Sequence, residues 1–186
     1  MSSMVSIRSV VGATVCAGLR TVLVLTAILG LAYPLAITGV AQALFPAAAN
    51  GSIVTAAGRP VGSALIGQDF LSADGKPLRQ YFQPRPSAAG ADGYDPRASG
   101  GSNLGPDNPQ LAAQIEARRA QVAAFNGVPG AEVPPDAVTA SGSGLDPDIS
   151  VAYALIQVNR VAAARNASPA VVSELVGQQT QQRTLG

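Results

Sequence analysis

The feature that most constrains this chain is a long interval without charge. No charged side chain occurs between Arg20 and Arg59, and residues 21–45 within that interval are strongly apolar. A helix crosses the hydrocarbon core of a bilayer with about 20 apolar residues, and this stretch exceeds that length. We therefore predict a single transmembrane helix over residues 20–45.

The charges around the apolar stretch predict its orientation. Arg8 and Arg20 precede the stretch without any acidic residue. Because positive residues favour the cytoplasmic side, residues 1–19 are predicted to form a short cytoplasmic N-terminus and residues 46–186 an extracytoplasmic domain. The alternative is a cleaved signal peptide ending near Ala47 to Ala49. A signal core of about 7–15 residues is shorter than this stretch, which favours a retained anchor.

The apolar stretch also carries small residues at helical spacing. Ala32, Ala36, Gly39 and Ala43 fall on one face of a helix, where small side chains let a second helix approach closely. We predict a partner helix in the membrane along this small-residue face. The alternative is that alanine and glycine are simply frequent here. Pro34 is predicted to kink the helix, because it removes a main-chain hydrogen bond.

Composition excludes several kinds of chemistry. The chain has no histidine, and its only cysteine is Cys16, so histidine-based triads, cysteine nucleophiles in the domain and most zinc or copper sites are excluded. Acidic and basic residues nearly balance after the apolar stretch, which argues against a nucleic-acid partner.

A membrane-anchored hydrolase with Lys76 as base and Ser141 or Ser143 as nucleophile is formally possible. A generic anchored binding module is a further alternative.

The remaining sequence predicts a mixed α+β domain with long Gly/Pro-rich loops. We expect strands at residues 52–55 and 63–67 and helices at 108–127 and 150–165, with a third helix beginning at Ser168-Pro169. Glu116, Arg118 and Arg119 are expected in solvent. The expected buried faces are Leu111, Ile115, Val122 and Phe125 on the first helix, Val151, Leu155, Val158 and Ala162 on the second, and Val171, Val172, Leu175 and Val176 on the third.

Two segments between these elements are unlike ordinary connectors. Residues 81–107 contain too many prolines and glycines for a regular element, and loops of that length are usually functional or disordered. Residues 138–150 lead through small hydroxyl residues and an Asp-Pro turn into a helix N-terminus. Such a turn could offer main-chain N–H groups to an anion or to the carbonyls of a partner.

An ordered set of motifs resembles one known family. These are Tyr33-Pro34, GSALIGQ at 62–68, YFQPRPSA at 81–88, YDP from Tyr94, ASGGSNLGP at 98–106, VP at 133–134, VTASGSGLDP at 138–147 and the final Leu185-Gly186. Their succession resembles the C subunit of the bacterial Kdp-type potassium-transporting ATPase over nearly the whole chain. One departure is Asp148, where members of that family usually carry histidine.

The resemblance implies a non-catalytic accessory subunit in the bacterial inner membrane. Its partners would be a channel-like potassium-translocating subunit and a P-type ATP-hydrolysing subunit, with lipid around the helix. Two roles are attached to the family: support of assembly and high-affinity potassium uptake, and a catalytic-chaperone role that raises the ATP affinity of the hydrolysing subunit. ATP is thus implied by the family alone, because the turn from Ser99 to Ser102 lacks the lysine and following helix of a P-loop.

The two loops supply the candidate contact residues, and no catalytic or metal-binding residue is predicted. In the second loop, two carboxylates precede a helix N-terminus, where they could act as caps or attract a cation. In the first loop, the same residues that could contact a partner could instead hold the loop's own turns. The predicted contacts are Tyr81, Gln83, Arg85, Tyr94, Ser102 and Asn103 in the first loop, and Asp146 and Asp148 in the second.

Overall fold

The computed structural model describes residues 7–181, so the first six residues of the predicted 1–19 segment and the final Leu185-Gly186 lie outside the described residues. The chain divides into two compact units, with the boundary between Ile53 and Val54. In the described part, the first unit is helical. It comprises α1 (Ile7–Ala27), a π-helical turn (Ile28–Ala32), α2 (Tyr33–Leu44) and the short α3 (Pro46–Ala49).

The first unit contains the apolar helix. Val10–Leu44 is long and apolar enough to cross a membrane, and none of its residues is buried within the chain. The helix starts well before residue 20, because no proline interrupts residues 7–20, and it ends at Leu44, so that Phe45 lies outside it. The apolar helix is therefore present, and it is longer at its N-terminal end than the predicted 20–45.

The disturbance expected at Pro34 takes the form of a wider helical turn. The N–H of Tyr33 donates to the carbonyl of Ile28, five residues back, rather than to the carbonyl four residues back. A proline ring crowds the carbonyl of the preceding turn and supplies no N–H. A π-helical turn relieves that crowding by inserting one extra residue before the proline.

A two-stranded hairpin follows the helical segment, and all of it except its first residue belongs to the second unit. Strands β1 (Ile53–Ala56) and β2 (Arg59–Ser63) are joined by Ala57 and Gly58, whose φ angles of 50° and 74° are both positive, as a two-residue type I′ turn requires. The first predicted strand, 52–55, is confirmed to within one residue. The second, 63–67, is wrong, because the tight turn returns the chain at once and the strand has ended by Ser63.

Three longer helices follow, as predicted. These are α4 (Pro109–Asn126), α5 (Val151–Arg165) and α6 (Pro169–Gln179), and single 3₁₀ turns at Gly130–Glu132 and Pro135–Ala137 separate α4 from α5. Each helix begins after a side chain that accepts a hydrogen bond from a main-chain N–H of its first turn, and these caps are Asn108, Ser150 and Ser168. Local chemistry thus determines where each helix begins.

The hydrophobic core has two clusters that meet along α5. One contains Val133, Ala137, Val138 and Tyr153, with Ile115 and Val122 of α4 packed against it. The other contains Val158, Val161, Ala162 and Val172, with Phe82 and Val176 packed against it.

The predicted buried face of α5 is half wrong. Val158 and Ala162 are buried, but Val151 and Leu155 are each 47% exposed, because α5 turns the polar residues Gln157 and Arg160 inward instead. The predictions also fail for residues of the neighbouring helices, where Arg119 as well as Arg118 is half-buried. Val171 and Leu175 of α6 are about half exposed, and Arg118 of α4 is half-buried and donates to the carbonyl of Val138 rather than extending into solvent.

Candidate functional site

The first loop is held at its start by a side chain of α5. Gln157 is completely buried. Its Oε1 accepts from the N–H of Gln83 at 2.7 Å, and its Nε2 donates to the carbonyl of Gln83 at 3.1 Å. The Gln83 side chain is also engaged, because its Nε2 donates to the carbonyls of Phe70 and Leu78. Gln83, a predicted partner contact, is therefore bonded within the chain at both its main chain and its side chain.

A buried arginine extends this polar core. Arg160 is 3% exposed, and its Nη2 donates to Oε1 of Gln157 at 2.6 Å. Its Nη1 donates to the carbonyls of Arg79 and Tyr81, and its Nε to Oδ1 of Asn126 at 2.8 Å. Burial, together with the nearby charge of Arg79, lowers the pKa of Arg160 to about 10. The guanidinium therefore stays charged at neutral pH, and it fixes the main chain at residues 79–81 with no carboxylate partner among the residues that the structure describes.

Tyr81 lies at the edge of this arrangement. Its ring stacks on Phe70 with 4.6 Å between the ring centroids, and the guanidinium of Arg165 lies 5.2 Å from the ring. Arg165 also donates to the carbonyl of Gln80 at 2.6 Å. With 37% of its surface exposed, Tyr81 is held in place and still offers part of a rigid ring to solvent.

The first loop is tied to the second by an ion pair. Nη1 of Arg85 lies 2.8 Å from Oδ2 of Asp146, and both side chains are about three-quarters buried. The other oxygen of Asp146 accepts from the N–H of Asp148 at 3.0 Å. Nε of Arg85 is buried and has no hydrogen-bond partner among the described residues. Two predicted partner contacts, one in each loop, thus bind each other.

Tyr94 and Ser87 form a second link between the loops. The hydroxyl of Tyr94 donates to the carbonyl of Arg85 at 2.7 Å, and its N–H donates to Oγ of Ser87 at 2.8 Å. Oγ of Ser87 in turn donates to the carbonyl of Gly144 in the second loop at 2.6 Å. Burial, with a smaller contribution from Asp69, raises the pKa of Tyr94 to about 12. Sequence reasoning missed Ser87, because a serine among prolines gives no sign of a contact so distant along the chain.

Glycines let the two loops approach each other at main-chain distance. The N–H of Gly100 donates to the carbonyl of Ser143 at 2.8 Å, and Oγ of Ser99 donates to the same carbonyl at 2.9 Å. A Cβ added at Gly144 would lie 2.7 Å from the carbonyl oxygen of Gly100, and one at Gly101 would lie 3.2 Å from that of Gly142. We call the joined loops, residues 81–107 and 138–150, the two-loop platform.

Two predicted contact residues on the platform differ from the rest. Ser102 and Asn103 are exposed, and neither side chain hydrogen-bonds to any residue that the structure describes. Asn103 also has a φ of 53°, in the left-handed region. These side chains therefore do not hold the loop's own turns, and their hydrogen-bonding groups face solvent on a rigid base.

The second loop's carboxylates do not cap α5. Ser150 caps that helix by accepting from the N–H of Tyr153 at 3.0 Å, and Asp136 in turn accepts from both the N–H and the hydroxyl of Ser150. The capping interpretation of Asp146 and Asp148 is therefore wrong. Sequence reasoning missed Asp136, which lies 14 residues before Ser150, the cap that it braces.

Asp148 is exposed and is one of the residues that line a largely apolar groove. It makes no ion pair with any described residue. The groove has a volume of about 480 Å³ and is lined by Phe82, Ile149, Val151 and Leu175 among others. It includes apolar side chains that α5 and α6 leave exposed, and these offer a place for an apolar side chain of another molecule.

A second cleft, of about 290 Å³, lies between the first loop and α4. Arg85 and Arg118 line it, and so do Asp69 and Asp92. Opposite charges therefore balance along its wall, unlike the concentrated positive charge that binds polyphosphates. Within the described residues, no group of three histidine, cysteine, aspartate or glutamate side chains could hold a metal ion.

The alternative Ser-Lys arrangement is not assembled. The ammonium of Lys76 lies 3.3 Å from Asp74, and both side chains are well exposed. Ser141 is 5% exposed, and its hydroxyl lies 3.5 Å from that of Ser143. Neither serine hydrogen-bonds to Lys76, so the base required for a nucleophile is not in place.

The helix and the domain together define the class: a small α+β domain with a rigid two-loop platform, following one helix long enough to span a membrane. The family model for the K+-transporting ATPase, c chain, matches residues 15–186. The chain belongs to this family, as the motifs of the two loops predicted.

Curated relatives agree with that assignment. Potassium-transporting ATPase KdpC subunits from Kineococcus radiotolerans and Gemmatimonas aurantiaca are each 56% identical over 138 residues, which is 74% of this chain and 67% and 66% of theirs. The KdpC subunit from Mycobacterium tuberculosis is 50% identical over 139 residues, covering 74% of this chain and 70% of its own. The matched stretch thus spans about two thirds of the length of these relatives.

Proposed function

We propose that this chain is the accessory subunit of an ATP-driven, high-affinity potassium uptake complex in the bacterial inner membrane. Its role is to support assembly and potassium transport by contacts, while a channel-like subunit conducts potassium and a P-type subunit hydrolyses ATP. Family membership supports this role. The observation that carries the contact mechanism is the pair Ser102 and Asn103, which present unbonded polar groups on a loop fixed on both sides.

The proposed orientation has the N-terminus in the cytoplasm and the domain outside. Arg8 and Arg20 precede the central part of the apolar helix, and no acidic residue lies before it to offset them. The helix Val10–Leu44 supplies the length needed for one crossing. The platform would then lie at the outer side of the membrane, beside the mouth of the channel-like subunit.

Within this proposal the predicted contact residues have two different tasks. Tyr81, Ser102, Asn103 and Asp148 expose side-chain surface and would contact the partner directly. Gln83, Arg85, Tyr94 and Asp146 are bonded within the platform, and they would act by keeping the loops rigid, which reduces the entropy lost on binding.

The membrane contact is proposed along the small-residue face of the helix. Ala32, Ala36, Gly39 and Ala43 leave that face free of bulky side chains, and nothing lies within 4 Å of a Cβ placed at Gly39. A neighbouring helix could therefore approach the main chain closely there.

The catalytic-chaperone role, with ATP as ligand, gains less support from the platform residues than the contact role does. The N–H of Gly100 and the hydroxyl of Ser99 are already used on Ser143, so this turn does not offer free donors to a phosphate. ATP is also cytoplasmic, whereas the proposed orientation puts the platform outside. Photolabelling of the assembled complex with an azido-ATP would test that role. Label on this chain that excess ATP removes would support it, and label confined to the hydrolysing subunit would reject it.

The contact role is tested by two matched asparagine variants. Asn103 and Asn166 are both exposed and both have a φ of 53°, which glycine adopts without strain. Asn103→Gly removes a platform side chain, whereas Asn166→Gly removes one at the end of α5. We expect Asn103→Gly alone to reduce the amount of potassium-transporting subunits that copurify with the tagged chain, by about threefold to tenfold for a lost interface hydrogen-bonding group.

The same purification also tests the function itself. Recovery of a channel-like subunit and a P-type ATPase with the unmodified chain would support the accessory role, and the complex should hydrolyse ATP in response to potassium. Recovery of the chain alone from membranes that contain those subunits would reject the role. Equal retention by Asn103→Gly and Asn166→Gly would reject the platform as the contact surface.

A further inference from the structure

The apolar helix contains a main-chain carbonyl without a donor. In an α-helix the carbonyl of Leu29 would accept from the N–H of Tyr33, but that N–H donates to Ile28. In a π-helical turn it would accept from residue 34, which is Pro34 and has no N–H. No side chain among the described residues donates to this oxygen. The wide turn and the proline together leave Leu29 with an unpaired acceptor.

The position of this acceptor makes it costly in a bilayer. Leu29 lies near the middle of the apolar helix Val10–Leu44, far from either end. An unpaired main-chain polar group in hydrocarbon costs several kcal/mol, because neither water nor lipid tails supply a hydrogen bond there. Lipid headgroups carry donors, but they lie at the surfaces of the bilayer. A neighbouring helix at the same depth is one source of donors for carbonyls that a proline frees in a membrane helix.

The surroundings of Leu29 allow such an approach. Ala32 and Ala36 follow three and seven residues later, at helical spacings that place them near the same side, and both are exposed. Leu29 itself is 59% exposed. Small neighbours let a second helix come close enough for a short polar side chain to reach the main chain.

We propose that the carbonyl of Leu29 accepts a hydrogen bond from a polar side chain on a transmembrane helix of another subunit of the complex. Serine, threonine, asparagine and glutamine are the side chains with the required donor and with a precedent inside membranes. This inference rests on the proposed accessory function and adds to it the chemistry that recognises this helix. The unpaired acceptor requires a polar side chain at one position of the partner helix. Small residues alone would pack against any helix face that lacks bulky side chains.

Replacing the proline tests the proposal in the assembled complex. Pro34→Ala restores an N–H at residue 34, so the helix can satisfy its own carbonyls and the partner's donor loses its acceptor. Given the measured range for hydrogen bonds between membrane helices, we expect retention of the partner subunits to fall about threefold to tenfold. Pro46→Ala is the control, because Pro46 stands at the first position of α3, where the hydrogen bonds of that helix do not use an N–H.

The outcomes separate this inference from the function on which it rests. Retention that falls with Pro34→Ala and not with Pro46→Ala supports the inference. Equal retention by the unmodified chain and Pro34→Ala overturns it and leaves the accessory role intact. An unmodified chain that retains no partner subunits overturns both.

A spectroscopic measurement keeps the test independent of how the variant folds. With carbonyl-¹³C leucine and ¹⁵N glycine, only the pairs Leu29-Gly30, Leu104-Gly105 and Leu185-Gly186 give carbonyl–nitrogen cross-peaks, and Gly30→Ala identifies the first by its loss. We expect the Leu29 carbonyl resonance to move downfield in the complex relative to the chain alone in the same bilayer. The same resonance position in both samples would overturn the proposal.

Discussion

Nη1 of Arg85 and Oδ2 of Asp146 lie 2.8 Å apart and join two loops across 61 residues of sequence. The hydroxyl of Tyr94 bonds the carbonyl of the same arginine, and Ser87 bonds the carbonyl of Gly144 nearby. Each loop thereby supports the other, so a segment rich in glycine and proline keeps one conformation without regular secondary structure.

Removing the carboxylate of this pair should loosen the platform. Asp146→Ala leaves the Arg85 guanidinium three-quarters buried without its anion, and we expect the free energy of unfolding to fall by about 1–3 kcal/mol. Asp148→Ala, two residues away and exposed, should change it by less than about 0.5 kcal/mol. Urea unfolding of the full chain in detergent, followed by tyrosine fluorescence, measures both. Equal effects would contradict the structural role of the pair.

Gln157 should be among the most sensitive polar positions in the domain. Gln157→Leu keeps the volume but removes the partners of the N–H and the carbonyl of Gln83 and of Nη2 of Arg160. Leaving several buried groups unpaired should cost about 2–4 kcal/mol and speed hydrogen exchange at the Gln83 amide. Asn159→Leu, on the exposed side of the same helix, is the control. Unchanged exchange at Gln83 would argue against the amide pairing.

The hairpin turn offers a stabilising substitution. Ala57 has a φ of 50°, which costs a side-chain-bearing residue about 1 kcal/mol relative to glycine. Ala57→Gly should therefore raise the free energy of unfolding by about 0.5 kcal/mol, after the added flexibility of the unfolded chain is subtracted. Ala56→Gly, at the end of β1, should lower it. Thermal unfolding of both variants checks the prediction, and a lower melting temperature for Ala57→Gly would contradict it.

The domain should lose stability in alkali partly through Tyr153. Burial raises the pKa of Tyr153 to about 12, against about 10 in an unfolded chain. The folded state therefore holds this proton more tightly, and the stability it contributes is complete below pH 10 and is lost as pH rises from about 10 to 12. The lowered pKa of Arg160 acts in the opposite direction above pH 10.

The variant Tyr153→Phe isolates that contribution, because Arg160 is present in both proteins. We expect the decline in the free energy of unfolding between pH 9 and 12 to be smaller in the variant by about 2–3 kcal/mol. Urea unfolding at several pH values gives the two curves. Parallel curves would contradict the prediction, because they would mean that the Tyr153 phenol ionises over the same pH range in the folded and unfolded states.

Local chemistry explains which elements were predictable from sequence. Asn108, Ser150 and Ser168 each combine a side-chain acceptor with a helical pattern, and the three helices begin where these residues predict. The second strand was misplaced because Ala57-Gly58 is a less familiar type I′ turn than Asn-Gly. The error therefore comes from one turn residue, Ala57, and not from the pattern of the strand residues.

The burial of polar residues could not be predicted from the spacing of hydrophobic residues. Gln157 and Arg160 have the side chains of surface residues, and only the loop that passes over them explains their burial. The same holds for Ser87 and Asp136, whose partners lie far along the chain or in another element. Family motifs placed the candidate contact residues in these two loops, while the contacts inside the loops required three-dimensional structure.

The pairing of Gln157 with both main-chain groups of Gln83 has a consequence for solubility. An extended segment with free N–H and carbonyl groups can pair with the strand of another molecule and start aggregation. Here the amide of a helical side chain occupies the N–H and the carbonyl of Gln83, in the way that a neighbouring strand would. Gln83 therefore presents no free main-chain group to other copies of the chain, although the sheet in the described part of the chain has only two strands.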